Sequence, residues 1–215
     1  MRLGCVPDLR LQRLQSFLGG LYASVPELQV EVSHLRSAEQ LIRLGDGALD
    51  LGLVHTAGAE GDIETTAVFQ GERLAAFLPP GHRLSGKTTL TPTDLAGEVL
   101  LVASRLADPD LHDELMARLT RARYQFRQVC ETSGADMRDV LFAVAEGHGI
   151  GLGPAPAAEI LGELGKVVTR HALDPAPSMP DTLVAWTVSP RSELAELIAA
   201  AGRLAPELHR SHAPD

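Results

Sequence analysis

Two cysteines, Cys5 and Cys130, stand in a chain of 215 residues. That is too few for a disulfide framework and fits a reducing compartment, so a cytoplasmic location is expected. Aromatic residues are equally sparse, with one Trp, two Tyr and five Phe. A base-stacking platform for single-stranded nucleic acid would need more of them. Positive charge is in deficit: 19 Lys+Arg stand against 28 Asp+Glu, for a net charge of −9. Nucleic-acid affinity comes largely from neutralised phosphates, so this chain by itself is not expected to grip DNA or RNA. No apolar run approaches the ~18–20 residues that a membrane span requires. The opening Met1-Arg2-Leu3-Gly4-Cys5-Val6-Pro7 lacks the apolar stretch of a signal peptide.

What is present is an alternation of strand and helix patterns. Arg2–Val6 reads as a strand broken by Pro7-Asp8. Leu11, Leu14, Leu18, Leu21 and Val25 then recur at helical spacing until Pro26. Leu28, Val30 and Val32 alternate with polar residues, the mark of a strand with one wet face. Ser37-Ala38-Glu39-Gln40 has the form of a capping box with Ser37 as N-cap, and Gly45 or Gly47 closes that helix. Leu49, Leu51 and Leu53 begin a third strand that ends at His55-Thr56. Strands alternating with helices predict a parallel sheet.

Ala67–Leu78 reads as one extended crossing segment ended by Pro79-Pro80-Gly81. A second β/α half follows. Val99–Val102 is a continuous apolar run, as expected of a strand buried on both faces. Asp108-Pro109 is a helix start, with Leu111, Leu115 and Leu119 on one face. Phe126–Cys130 is a strand, Asp136–Glu146 a helix, and Ile150–Leu152 a strand. Val167–Thr169 and Thr182–Val188 are further strands, with a return crossing expected near 168–175. Glu193–Leu208 is a closing helix, and the tail from Ser211 is expected to fray.

Several tempting motifs reduce to structure. Gly147-His148-Gly149-Ile150-Gly151 follows a helix and enters a strand, whereas a dinucleotide loop follows a strand and opens a helix. Gly147 is better read as a left-handed helix terminator. The eight histidines are scattered without ligand-pair spacing, so no metal and no cofactor are expected. No Gly-x-Ser-x-Gly nucleophile elbow occurs. The informative positions are the strand ends, because open α/β sheets bind ligands beyond the carboxyl ends of their strands, where helix N-termini point. These positions hold Asp8 and Leu9, then Arg36 and Ser37, then His55, and in the second half Ser104, Arg105, Thr132 and Ser133. Hydroxyls, a few charges and backbone N–H groups suit a small polar ligand. The same residues also suit plain helix capping, and the two readings weigh about evenly at this point.

The order of motifs resembles the LysR-type transcriptional regulators. Leu44-Gly45-Asp46-Gly47-Ala48-Leu49-Asp50-Leu51-Gly52 is similar to the family's L-x-x-G-x-L-D-x-G pattern. Leu78-Pro79-Pro80-Gly81-His82-Arg83-Leu84, Asp94-Leu95-Ala96 and Val144-Ala145-Glu146-Gly147-His148-Gly149-Ile150-Gly151 follow in the family's order. Each alone is weak, and together they are fairly specific. The resemblance is to the effector-binding domain. It implies an α/β fold of two Rossmann-like lobes joined by two crossing strands, as in type 2 periplasmic binding proteins. On that plan residues 1–73 and 173–215 form the first lobe and 74–172 the second. The family's N-terminal winged helix-turn-helix is not in this sequence.

The resemblance implies a sensor that binds a small-molecule effector between the lobes, is not an enzyme, and controls DNA binding only through the missing domain. It also implies a homodimer, for which the flanks near Leu11–Leu21 and Leu111–Leu119 are candidates, with a tetramer open for the longer protein. Asp8 stands where many members have a small residue or a hydroxyl, which puts a simple carboxylate effector in question and leaves amines, amino acids and hydroxylated metabolites. Rival readings are a free-standing solute-binding protein, an enzyme using Asp8, His55 and Arg105, and a redox sensor pairing Cys5 with Cys130.

Overall fold

Alternating burial along three short strands explains the first sheet. In β1 (Arg2–Cys5), Leu3 and Cys5 turn to one face while Gly4 turns to the other, and in β3 (Leu51–Val54) Leu51 and Leu53 do the same against Gly52. The computed structural model describes residues 1–56, 62–134, 136–157, 166–188 and 194–211. Its contacts divide the chain into two units, Met1–Gly71 with Pro180–Asp215, and Glu72–Met179.

The first unit is built on a five-stranded sheet of order β2-β1-β3-β11-β4, with β2 at Glu31–His34, β4 at Ile63–Phe69 and β11 at Thr182–Thr187. β1 runs parallel to both β2 and β3, and β11 runs antiparallel to β3 and β4. Helix α1 (Leu11–Ser24) buries Leu14, Phe17 and Leu21 against Leu3, Leu51, Leu53 and Phe69. Truncating a ring as buried as Phe17 costs about 3–5 kcal/mol. The last helix, here α6 (Ala195–Ser211), adds Leu197, Ala201 and Ala205 to the same core. Helix α2 (Ser37–Gly45) covers the opposite face through Gln40 and Leu44.

The second unit has a six-stranded sheet of order β6-β10-β5-β9-β7-β8. Its strands are β5 (Leu74–Leu78), β6 (Thr89–Leu90), β7 (Val99–Val102), β8 (Gln128–Glu131), β9 (Ile150–Pro154) and β10 (Thr169–Leu173). Three helices open on side-chain caps. Thr91 caps α3 (Pro92–Leu95), Asp108 caps α4 (Pro109–Arg121) and Asp136 caps α5 (Met137–Ala145). Leu119 and Tyr124 pack on one face of the sheet with Leu100 and Ile150, and Val140, Leu141 and Val144 pack on the other with Leu101 and Phe77. Gly147 sits at φ +83° just past α5, the left-handed terminator expected from its place between helix and strand.

Within Ala67–Leu78 the chain passes from the first sheet, where β4 ends at Phe69, to the second, where β5 starts at Leu74. Two expectations change. The return does not occur at 168–175, because β10 pairs antiparallel with β5, Thr169 to Leu78 through Ala172 to Ala75, and so stays in the second sheet. The strand expected at Phe126–Cys130 runs Gln128–Glu131, in register with Val99–Val102, while Phe126 packs into the core ahead of it. Positions 212–215 of the tail, including His212, lie outside the described residues. Of the two flanks named for a dimer, Leu11 is exposed, whereas Leu111 and Leu115 pack against the second unit's core. Among the described residues no helix is long and apolar enough to cross a membrane.

Candidate functional site

The carboxyl ends of β1, β2 and β3 bring Asp8, Leu9, Arg36, Ser37 and His55 to one end of the first sheet. His55 Nε2 lies 3.0 Å from one Asp8 oxygen and 3.1 Å from the other. Facing a carboxylate, that nitrogen carries the hydrogen and donates it. The His55 side chain is 7% exposed and that of Asp8 34% exposed, so the imidazole is packed while the carboxylate reaches the surface. Desolvation pushes the Asp8 carboxyl up, but the charge and hydrogen bond of His55, with a backbone N–H, outweigh it and hold the group below the ordinary carboxylate range.

Ser37 does not cap its helix. The N-cap of α2 is Arg36, with no side-chain bond, and the Ser37 hydroxyl oxygen instead accepts the main-chain N–H of His55 at 3.0 Å. Ser37 is fully buried, so it fixes the end of β3 from beneath. The second half of the expected capping box is also used otherwise. Gln40 donates its amide hydrogens to the carbonyls of Leu35, 2.7 Å, and Leu53, 3.0 Å, tying the chain after β2 to the end of β3. The room for that side chain comes from paired glycines: Gly4 and Gly52 face each other across β1 and β3, and a Cβ on either would lie 2.6 or 2.8 Å from Gln40 Oε1. Leu9 packs against the first core and donates its N–H to Val6 O at 3.2 Å. Arg36 is exposed.

Asp50, the acid of the Leu49-Asp50-Leu51-Gly52 run, supports the amino end of the same sheet. It is buried, and it accepts from the Arg2 main-chain N–H and guanidinium, each at 2.6 Å. This run thus contributes an ion pair and a clearance for Gln40.

In the second unit, Ser104 and Arg105 follow β7, and Thr132 and Ser133 follow β8. Ser104 and Arg105 are held by Glu131, which the sequence reading passed over. Its Oε2 accepts the Ser104 hydroxyl at 3.3 Å and the Arg105 main-chain N–H at 3.0 Å. The Arg105 guanidinium is engaged by Asp113 through bonds of 2.7 and 2.6 Å. The Thr132 N–H donates to Val102 O at 2.8 Å and its hydroxyl to Gly134 O at 3.4 Å, while Ser133 is exposed. Glu131 sits one residue before the hydroxyl pair, and its place at the end of a strand was the signal that could have found it.

The cysteines belong to separate units. Cys5 is fully buried in β1, its thiol pushed up to about 12 by desolvation and by the charge of Asp8; Cys130 is half-buried in β8. Among the described residues no group of three or more His, Cys, Asp or Glu is placed to hold a metal ion.

Comparison with known proteins bears on the whole arrangement. Residues 1–203 match the family model described as the LysR substrate binding domain. The chain belongs to the LysR substrate-binding domain family. Among curated LysR-type relatives, it is 28% identical over 192 residues to a probable hydrogen peroxide-inducible genes activator of Mycobacterium leprae, covering 89% of this chain and 60% of that protein. It is also 28% identical over 174 residues to the transcriptional activator protein LysR of Escherichia coli, covering 80% of this chain and 54% of that one. The chain thus spans little more than half the length of these relatives. Among solved structures it is similar to the BenM effector-binding domain with its effector benzoate, with a TM-score of 0.73 at 19% identity, covering 100% of this chain and 95% of that one. That likeness gives the LysR effector-domain fold, similar to type 2 periplasmic binding proteins.

Proposed function

We propose that this LysR substrate-binding domain is the effector-sensing module of a transcriptional regulator, with a candidate docking surface at the strand ends of each unit: Asp8, Leu9, Arg36 and His55 in the first, and Ser104, Arg105, Thr132 and Ser133 in the second. The observation that carries the reading is the Asp8–His55 pair. A buried imidazole orients a surface carboxylate at the carboxyl end of β1, the position at which α/β sheets hold ligands. Neither α1 nor α2, the helices that open at this end, has a side-chain cap, whereas α3, α4 and α5 all do. In α1 the Arg13 N–H donates to the Arg10 carbonyl at 3.0 Å, so it is the N–H groups ahead of it, and those opening α2, that no N-cap side chain satisfies.

Signalling then means that two conformations of the sensor differ in affinity for the effector, so binding shifts their populations and no bond is broken. An enzymatic reading has less support. Asp8, His55 and Ser37 are the right residue types for a hydrolase, but Ser37 bonds the His55 main-chain N–H and is fully buried. A nucleophile must instead reach the ring and the substrate. A thiol-pair sensor has less still, since Cys5 is buried and hard to ionise. In this reading the domain works in the cytoplasm, as a homodimer, and acts on DNA through a separate helix-turn-helix domain of the regulator.

The test is a thermal-shift screen of the 215-residue chain, followed by operator binding of a full-length regulator carrying it. A ligand at ~100 times its Kd adds about 2.7 kcal/mol of stability. The expected result is a compound that stabilises the chain, is recovered unchanged, and alters operator affinity. A compound that stabilises the chain and is consumed contradicts the reading.

A further inference from the structure

The chain leaves the first unit after Gly71 and re-enters it at Pro180. These two places lie side by side, because β4 ends at Phe69, the partner of Thr182 at the start of β11. The pairing slips there: Leu183 faces Ala67, so Val68 is an extra residue on β4. Pro180, two residues before Thr182, has no N–H to add to the ladder. Gly71 is buried, and its N–H goes to a side chain: Asp181 Oδ1 accepts it at 2.9 Å. The other oxygen of Asp181 faces His209 Nε2 at 3.1 Å, so that nitrogen carries the hydrogen and donates it. His209 belongs to α6, beside Leu208, which packs against the first core. On the outgoing side, Arg13 of α1 donates to Gln70 O at 2.8 Å and lies over the Phe69 ring, 5.3 Å from its centre. The second unit ties its own ends with main chain. Met179 N–H donates to Glu72 O and Leu74 N–H to Pro177 O, each at 2.8 Å, with Arg73 bridged to Ser178 between them.

We infer that Asp181 is a latch on the rim of the first unit, holding the chain where it leaves, and that α6 operates this latch through His209. Arg13 fixes Phe69 and Gln70, and main-chain bonds fix Glu72 and Met179. Between these anchors the Gly71 N–H is held by a carboxylate whose side chain is 43% exposed, steadied by an imidazole that is 27% exposed. Water reaches both side chains, so the latch releases far more readily than either sheet unfolds. A ladder opens only when strands separate, whereas a side-chain acceptor leaves by a change of rotamer. Gly71 has no Cβ to restrict it, so the backbone turns there once its N–H is released. His209 stands on the last helix, so a displacement of the end of α6 loosens this point while the strands stay paired. The latch does not depend on which effector, if any, binds at the strand ends.

Amide hydrogen exchange of the ¹⁵N-labelled chain, read residue by residue by NMR, tests the latch. In the unaltered chain Gly71 is expected to exchange about tenfold or more below the free-peptide rate, yet faster than Leu74 and Met179. Asp181→Ala is expected to speed Gly71 exchange about fivefold or more, while Leu74, Met179 and the amides of β1 and β3 keep their rates. His209→Ala, which leaves the connection itself untouched, is expected to speed it about twofold or more. Asp181→Asn keeps an acceptor and is expected to change it less than Asp181→Ala does. His209→Ala, at a partly exposed position, keeps the test open if Asp181→Ala does not fold, which Trp186 fluorescence reports. Gly71 exchange at the free-peptide rate in the unaltered chain, or unchanged in Asp181→Ala, overturns the inference. Equal acceleration at Gly71 and throughout β1 and β3 overturns it as well, because Asp181 then supports the whole unit and latches no single point. A response to Asp181→Ala with none to His209→Ala overturns the part assigned to α6.

Discussion

Gln40 ties two strand ends together, so its removal should loosen the surface on which the account depends. In Gln40→Ala the Leu35 carbonyl loses its donor, while the Leu53 carbonyl keeps the Val6 N–H at 3.1 Å. A lost hydrogen bond costs about 1 kcal/mol, and a half-buried carbonyl left without a donor costs about 1 kcal/mol more. The cavity left by the truncated side chain at a fully buried site adds about 1 kcal/mol. Loss of the Gln40 oxygen, which has no hydrogen-bond partner, offsets part of this. The expected destabilisation is about 2–3 kcal/mol. Gln40→Met, which keeps the volume, should cost about 1–2 kcal/mol. The assay is urea unfolding followed by Trp186, the sole tryptophan, which lies in β11 of the same unit and donates to Glu64 at 3.0 Å. Gly4→Ala supplies a second arm. Its Cβ would meet the Gln40 amide at 2.6 Å, so part of its cost should vanish in the Gln40→Ala background, leaving Leu49 as the remaining obstacle at 2.8 Å. A coupling of about 1 kcal/mol or more is expected from the cycle. A Gln40→Ala cost under ~0.5 kcal/mol, or additive variants, would refute this reasoning.

Three further outcomes follow from the same structure. Asp50→Ala should destabilise the first unit by about 1–2 kcal/mol, since it leaves the Arg2 main-chain N–H without its acceptor while the partly exposed guanidinium keeps the Gly47 carbonyl; the same Trp186 unfolding curve reads it. Asp94 is held down at about 2 by its bond to Lys87 and by the capping box with Thr91. Its folded value is depressed, so its contribution is complete above about pH 4 and lost as pH falls through about 2. An NMR carboxyl titration should place the midpoint there, and Lys87→Met should raise it. Cys5 should resist iodoacetamide in the native chain and react on unfolding, while Cys130 on the edge strand reacts natively. A peroxide-induced Cys5–Cys130 peptide in mass spectrometry would contradict the assignment of the two thiols to separate roles.

Much of the α/β alternation was legible because local chemistry sets it. Asp108-Pro109 and Gly147 act through their own backbone preferences, and each does in the structure what its residue type favours. Partner choice was less legible. Ala67–Leu78 reads as extended, and only pairing across distant sequence assigns its first residues to one sheet and its last to the other. The units change at Gly71 and at Met179. At the site, position after a strand identified Asp8 and His55 but not that they pair, since 47 residues separate them. Ser37 and Gln40 fit a capping box by spacing, yet tertiary partners drew both away: the His55 N–H took the hydroxyl, and the Leu35 and Leu53 carbonyls took the amide. The two glycines that admit Gln40 carry no local signal, because their reason is the close approach of a side chain from another element.

The most direct test of the central claim is an amide chemical-shift map of the ¹⁵N-labelled chain, titrated with the compound that stabilises it most in the thermal-shift screen. The account predicts that the largest shifts fall at Asp8, Leu9, Arg36 and His55, and at Ser104, Arg105, Glu131, Thr132 and Ser133. Saturable shifts confined to the outer faces of α1 or α4, with these strand ends unmoved, would contradict it.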